Sequence, residues 1–361
     1  MPKAKVKNSL LPAPDARSLL RWYDRHRRDL PWRAKPGKRP DPYHVWLSEI
    51  MLQQTTVPTV GRYYREFTAR WPSIHDLAAA DIDDVMTAWA GLGYYRRARL
   101  LHECARIVVS EYGGKFPADE AALRRLPGIG AYTSAAIAAI AFGKRANVID
   151  GNVDRIMARL YRLSQPIQKM KAEIRNKAAE LLPSARHGDY AQALMDLGAT
   201  VCKPRNPNCQ ACPWRKSCGA YAAGEVDRFP VQGKRKVKPV RRAIMFWLMD
   251  RQGRVWVRRR PPDGLLGGMM EIPSSPWLEQ PMPELASVRS VAPGRANWRL
   301  LPGEIRHTFT HFDLYIKVAV ARGAMAGADG MWADRTKMAR LAMPSIMKKV
   351  IVWAEARGEA G

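Results

Sequence analysis

Four cysteines, Cys202, Cys209, Cys212 and Cys218, fall within seventeen residues in a C-x6-C-x2-C-x5-C pattern, just after a stretch of helical periodicity. Thiols so crowded cannot lie along one regular helix or strand; they require a loop that wraps around a shared centre. The fifth cysteine, Cys104, stands alone about a hundred residues upstream. With no secretion signal in the chain, a metal or cluster explains the group better than disulfides. Zinc favours paired C-x2-C knuckles, and only the middle pair has that spacing. The looser 6-2-5 spacing suits four thiolates on a [4Fe–4S] cluster. Spacing alone puts the cluster first, zinc behind it and unrelated cysteines last.

The chain has 361 residues, enough for two domains with separate cores, and a net charge of +27. A surplus that large points to a polyanionic partner, nucleic acid first, rather than to solubility alone. It is also distributed: residues 1–226 carry 36 basic and 21 acidic side chains, and residues 227–361 carry 24 and 12. A basic tail on a neutral enzyme would not have this pattern. The longest apolar candidate for a span, Met245–Met249, is closed by Asp250 and Arg251. The expectation is therefore a soluble, cytoplasmic protein with no membrane association; a monomer associated with the bacterial nucleoid is expected as well.

Helical periodicity dominates the first two hundred residues. Asp15 can cap a segment whose Leu19, Leu20, Trp22 and Tyr23 follow helical spacing, and similar patterns recur at 43–53, 58–70, 83–89, 96–112, 119–125, 131–142, 153–163, 170–182 and 188–201. Residues 233–242, with six basic side chains and a proline, read as a linker able to touch phosphates. Beyond them, Ala243–Leu248, Arg254–Val257 and Leu314–Val320 read as strands, with a short closing helix near 344–355. There are no internal repeats. The domain expectation is an all-α unit over 1–226, a linker over 227–241 and a smaller α+β domain over 242–361.

Three motifs in the helical part carry chemistry. Leu126-Pro-Gly128-Ile-Gly130 sits between two helical patterns; its glycines permit a tight hairpin whose bare amides, at the start of the helix from Ala131, can hold a DNA phosphate. Alone it also reads as a plain turn; in a chain this basic it reads as a helix-hairpin-helix. Asp150, in Val148-Ile-Asp-Gly-Asn152-Val, is either a simple helix cap or a carboxylate aimed into a cleft to stabilise a cationic sugar, with Asn152 holding its geometry. Glu49 is the lone charge in the apolar run Trp46-Leu-Ser-Glu-Ile-Met-Leu52. Burial there raises its pKa and suits it to donate a proton near neutral pH; the alternative is an exposed glutamate on an amphipathic helix. One proton donor and one permanent anion form the pair that breaks a glycosidic bond.

WLSEIMLQQT, GLGYYRRAR, LPGIGAYTSAAI, VIDGNV and the four cysteines appear in the order seen in the adenine DNA glycosylases (MutY) of the endonuclease III superfamily, and the chain resembles that family over nearly its whole length. The resemblance implies that Glu49 protonates adenine, Asp150 stabilises the sugar cation, and Tyr132 and Asn152 complete the site. Trp32, Arg33 and Gln192 match adenine-pocket positions. Gln53, Gln54 and Tyr94 match side chains that contact or wedge into the duplex during base flipping, although Tyr94 also reads as ordinary core. The cysteine match makes [4Fe–4S] the expected cofactor, flanked by the basic Lys203, Arg205, Arg215 and Lys216. The endonuclease III branch carries a lysine nucleophile where this chain has Tyr132, which argues against a lyase that forms a Schiff base.

Residues 242–361 resemble the Nudix-like domain of the same glycosylases. The acidic helix that holds magnesium in Nudix hydrolases is missing, so a reader domain is expected and not a second enzyme. Phe309, Thr310 and His311 match the loop that touches 8-oxoguanine, with Thr310 where serine is usual; a plain strand through this segment is the alternative. The resulting expectation is a monofunctional glycosylase that removes adenine opposite 8-oxoguanine or guanine in double-stranded DNA. A bifunctional glycosylase-lyase for oxidised pyrimidines and a non-enzymatic iron–sulfur DNA-binding protein are the alternatives.

Overall fold

Aspartate starts several helices of this chain. Asp15, Asp41, Asp81, Asp119 and Asp150 each lie in extended backbone before a helix, and each carboxylate accepts first-turn amides. The computed structural model describes residues 11–233, 237–324 and 329–358. The chain divides into two compact units, residues 1–78 with 103–235 and residues 79–102 with 236–361.

The first unit is helical. At its centre lies Ala131–Phe142, in which every residue from Thr133 to Ala139 is buried. A helix apolar on all sides must be covered on all sides, and Pro42–Leu52 and His187–Asp196 both pack on it. Small residues allow close approach: a Cβ on Gly188 would sit 2.7 Å from the Ala139 carbonyl oxygen. Gly143, with φ 65°, ends the central helix in the left-handed conformation. A second cluster joins Leu19, Tyr23, Ile156, Met157, Tyr190 and Trp214.

The helices expected at 96–112 and 131–142 form over those residues. The one expected over 188–201 does not run through. It is α-helical from His187 to Asp196 and then a five-residue π-turn, Leu197–Val201, which widens the backbone just ahead of Cys202. Of the basic linker, residues 234–236 lie outside the described residues.

The second unit holds a mixed sheet of seven described strands: β1 (Val240–Met249), β2 (Val255–Arg259), β3 (Met270–Glu271), β4 (Arg299–Leu300), β5 (Ile305–Thr308), β6 (Asp313–Arg322) and β7 (Met331–Ala333). β1 and β6 pair in parallel over ten residues, from Val240 with Asp313 to Met249 with Arg322. Alternate residues of β1 enter two cores, since side chains alternate across a strand. Ala243, Met245, Trp247 and Met249 face one, and Ile244, Phe246 and Leu248 the other. Both faces being covered explains why β1 reads as a continuous apolar run. The closing helix, Ser345–Gly358, covers the first face with Ile346, Met347, Val350 and Ala354.

Candidate active site

Glu49 sits on the third turn of Pro42–Leu52 and is 5% exposed, which excludes the exposed-glutamate alternative. Burial pushes its carboxyl up to about 7 from the ordinary 4.5; a hydrogen bond from Tyr132 opposes that rise, the Asp150 charge adds to it, and Arg33 opposes it. The Tyr132 hydroxyl donates to Glu49 Oε2 at 2.7 Å. Burial, followed by the Glu49 and Asp150 charges, raises the Tyr132 phenol well above its usual range, so it stays a donor. Tyr132 reaches Glu49 because Gly130 caps the central helix and places residue 132 in its first turn.

Asp150 caps Gly151–Leu160, and its second oxygen is also engaged. Its Oδ1 accepts the amides of Asn152 and Val153 at 2.9 and 2.8 Å, and its Oδ2 accepts the Asn152 side-chain amide at 2.7 Å. Asn152 is held in turn from two sides. Arg155 donates to its Oδ1 at 2.8 Å and also to the carbonyls of Gly198 and Cys202, both at 2.8 Å. A Cβ on Gly198 would lie 2.4 Å from Asn152 Cβ, so only glycine fits there.

A cavity of about 810 Å³ opens beside Glu49, with Trp32, Arg33 and Gln192 in its wall. Trp32 is buried and meets Tyr64 edge to face. Gln192 is half-buried, and its amide donates to the Gly188 carbonyl at 3.3 Å. The guanidinium of Arg33 forks onto Asp196 with contacts of 2.6 and 2.7 Å. Asp196, together with Arg28, Arg155 and Gly198, was not anticipated from the sequence. A usable signal existed for Asp196: like Glu49, it is a lone acid in an apolar helical run, Ala193-Leu-Met-Asp-Leu197.

At the hairpin, Gly128 has φ 75° and needs glycine. Leu126, expected to contact DNA, is 4% exposed: its side chain pins the hairpin into the core, and only its backbone is left for a phosphate. The first backbone bond of the central helix is Ser134 N–H to the Gly130 carbonyl, so the amides of Ala131 to Thr133 precede the ladder. Gln53 is half-buried and donates to Thr133 Oγ1 at 3.2 Å, so its amide braces the hairpin helix. Gln54 is exposed, with φ 59°. In the second unit Tyr94 is 41% exposed with φ 47°, which excludes the core alternative. Left-handed backbone at non-glycine residues is strained and concentrates at functional sites; both expected wedge residues have it.

Residues 309–312 form the tip of the hairpin between β5 and β6, closed by the Thr308–Asp313 pair and a 2.9 Å bond from Phe309 N–H to the Phe312 carbonyl. The plain-strand alternative therefore fails at the tip, although Arg306–Thr308 are strand. Phe309 and Phe312 stack at 4.7 Å, leaving Thr310 and His311 exposed. The Tyr94 hydroxyl is hydrogen-bonded to Thr310 Oγ1.

None of the five cysteines is in a disulfide. Cys202, Cys212 and Cys218 pack against the second core of the helical unit. Burial pushes the Cys212 thiol up to about 12, and the charges of Cys202, Cys218 and Cys209 add to the rise. Cys202 Sγ also accepts from Arg159 at 3.3 Å. Among the described residues, no three His, Cys, Asp or Glu side chains gather around one point as a single ion requires. No helix of the described residues is long and apolar enough to cross a membrane.

Family models place a helix-hairpin-helix superfamily base excision DNA repair domain over residues 47–184 and a NUDIX domain over 244–353. An adenine DNA glycosylase of Mycolicibacterium smegmatis is 42% identical over 58% of this chain and 72% of its own. The chain belongs to the adenine DNA glycosylase family. The human adenine DNA glycosylase is 36% identical over 83% of the chain; the match spans 65% of that protein's length, and the rodent matches span 41%. A solved thermostable thymine-DNA glycosylase is similar over 58% of the chain and 95% of its own length, with 33% identity and a TM-score of 0.51.

Proposed function

We propose that this chain is a monofunctional DNA glycosylase that hydrolyses the N-glycosidic bond of adenine mispaired with 8-oxoguanine or guanine. The observation that carries the reading is the buried Glu49, raised to about 7 and bonded to the Tyr132 hydroxyl, with the Asp150 charge acting on both. Adenine flipped into the cavity takes a proton from Glu49 as its bond to the sugar breaks. Asp150, held by the Asn152 amide, faces the developing oxocarbenium ion until water adds to the sugar carbon and passes its proton to the Glu49 carboxylate, which restores the acid. The lyase alternative needs an amine where Tyr132 stands, and the phenol is already committed as a donor to Glu49.

The division of labour follows the two sequence regions. Residues 1–226 supply chemistry, and residues 242–361 read the lesion strand through Phe309, Thr310 and His311. Duplex binding rests on the +27 charge, on the hairpin amides and on the wedge pair Gln54 and Tyr94. Cys202, Cys209, Cys212 and Cys218 would hold a [4Fe–4S] cluster. Burial disfavours ionisation of Cys209, Cys212 and Cys218, and the sulfur charges act on one another, so thiolates here call for a compensating cationic centre such as a cluster would supply. When bound, such a cluster staples the loop that presents Lys203, Arg205 and Lys216 to solvent.

Incubation with a duplex containing adenine opposite 8-oxoguanine tests the reading. Strand breaks at the adenine that appear only after hot alkali are expected. Breaks without alkali at an oxidised pyrimidine would move the chain to the lyase branch, and no breaks in either duplex would remove the enzymatic reading.

A further inference from the structure

Asp196 is fully buried at the end of His187–Asp196. It accepts both arms of the Arg33 fork, the Arg28 Nε at 2.6 Å and the Arg28 amide at 3.1 Å. Burial works against its charge, yet Arg33 and then Arg28 hold the carboxyl below the usual range. The Arg33 side chain is 6% exposed, and it lines the cavity along with Glu49. Its positive field and the Glu49 charge act on each other.

We propose that Asp196 is a positioning residue for the acid: it fixes Arg33 and neutralises it, so that the guanidinium can line the adenine cavity without holding Glu49 ionised. This rests on the reading of Glu49 as proton donor. A buried, uncompensated arginine beside a general acid would favour the carboxylate and leave it without a proton to give. The groups acting on Glu49 are Tyr132 from the central helix, Asp150 from the cap before Gly151–Leu160, and Arg33 from the loop ahead of its own helix. Arg186, another cation of the cavity wall, is matched by Asp24 and Asp189. Of the cations in the cavity wall (Arg27, Arg28, Lys35, Lys38 and Arg39 among them), Arg33 is the one whose charge acts on Glu49, and Asp196 is its counter-charge.

The test is the pH dependence of single-turnover adenine excision from about pH 5.5 to 9, where the falling limb reports ionisation of the acid. In Asp196→Asn, the carboxylate is lost and the shape kept; the limb should move to lower pH by about one unit, the size expected for a nearby charge through a partly screened interior. Adding Arg33→Met removes the cation as well, and the limb should return to the wild-type position or above it although the rate falls. A structural role alone would lower the rate at every pH and leave the limb in place, and that result overturns the proposal. Should Asp196→Asn not fold, the double variant carries the same decision: a limb below the wild-type position overturns it. A wild type that excises no adenine would instead remove the proposed function.

Discussion

Replacing Glu49 with glutamine should both abolish catalysis and stabilise the protein above neutral pH. The carboxyl titrates at 4.5 in an unfolded chain and at about 7 in its buried site. A group whose folded pKa is raised contributes stability that is present below the unfolded value and is lost as pH rises through the folded one. Each unit between those values is worth about 1.4 kcal/mol, so the wild type loses ~3 kcal/mol between pH 4.5 and somewhat above 7. Glutamine does not ionise and can still accept the Tyr132 hydrogen bond. Any packing cost of the exchange is the same at every pH; the pH-dependent part is not. The melting temperature of Glu49→Gln relative to wild type should therefore improve by about 5–10 °C between pH 5 and pH 8 for a unit of this size. Thermal unfolding at the two pH values gives the comparison, and single-turnover excision should fall at least about a hundredfold while duplex binding holds. An equal melting difference at both pH values would show that Glu49 is not a raised, buried acid. Excision within about tenfold of wild type would remove it as the proton donor.

Tyr132→Phe takes away a donor that favours the Glu49 carboxylate; the falling limb of the pH–rate profile should move up by about one to two units, and a limb that stays put or falls would contradict the assigned contact. Gly198→Ala drives a methyl into Asn152, with only 2.4 Å available; excision should collapse with duplex affinity retained, and parallel loss of both would point to a wider disruption of the fold. Cys212→Ser should cost the visible cluster absorption and weaken duplex binding, whereas a colourless wild type with stoichiometric zinc would refute the cluster. Thr310→Ala with His311→Ala should lower the preference for adenine opposite 8-oxoguanine over adenine opposite guanine by about ten- to a hundredfold, and an unchanged preference would remove the tip of the β5–β6 hairpin as the reader.

The local motifs were legible because each is short-range. The helix starts at Asp15 and Asp150 depend on a carboxylate meeting amides two or three residues on, and the hairpin at Gly128 depends on one positive φ. The burial of Glu49 could be read from its apolar neighbours within a single helix, and β1 from an unbroken apolar run. What sequence alone left open was which meaning a residue carries when two are compatible with its neighbourhood. Asp150 is compatible with either a cap or a catalytic anion; the fold shows the cap and also turns the Asn152 amide back onto the second oxygen, which the cap alone does not require. Tyr94 looked like core and is exposed, while Leu126 was expected at DNA and is core. Spacing could not reveal Asp196 as the partner of Arg33, since 163 residues separate them and only the packing of two helices and a loop closes the distance. The same holds for Gly198 beneath Asn152. A cap, a turn or an amphipathic stripe is decided by interactions within a few residues; a buried ion pair or a clash is decided by where distant segments meet, and that information exists only once the chain has folded.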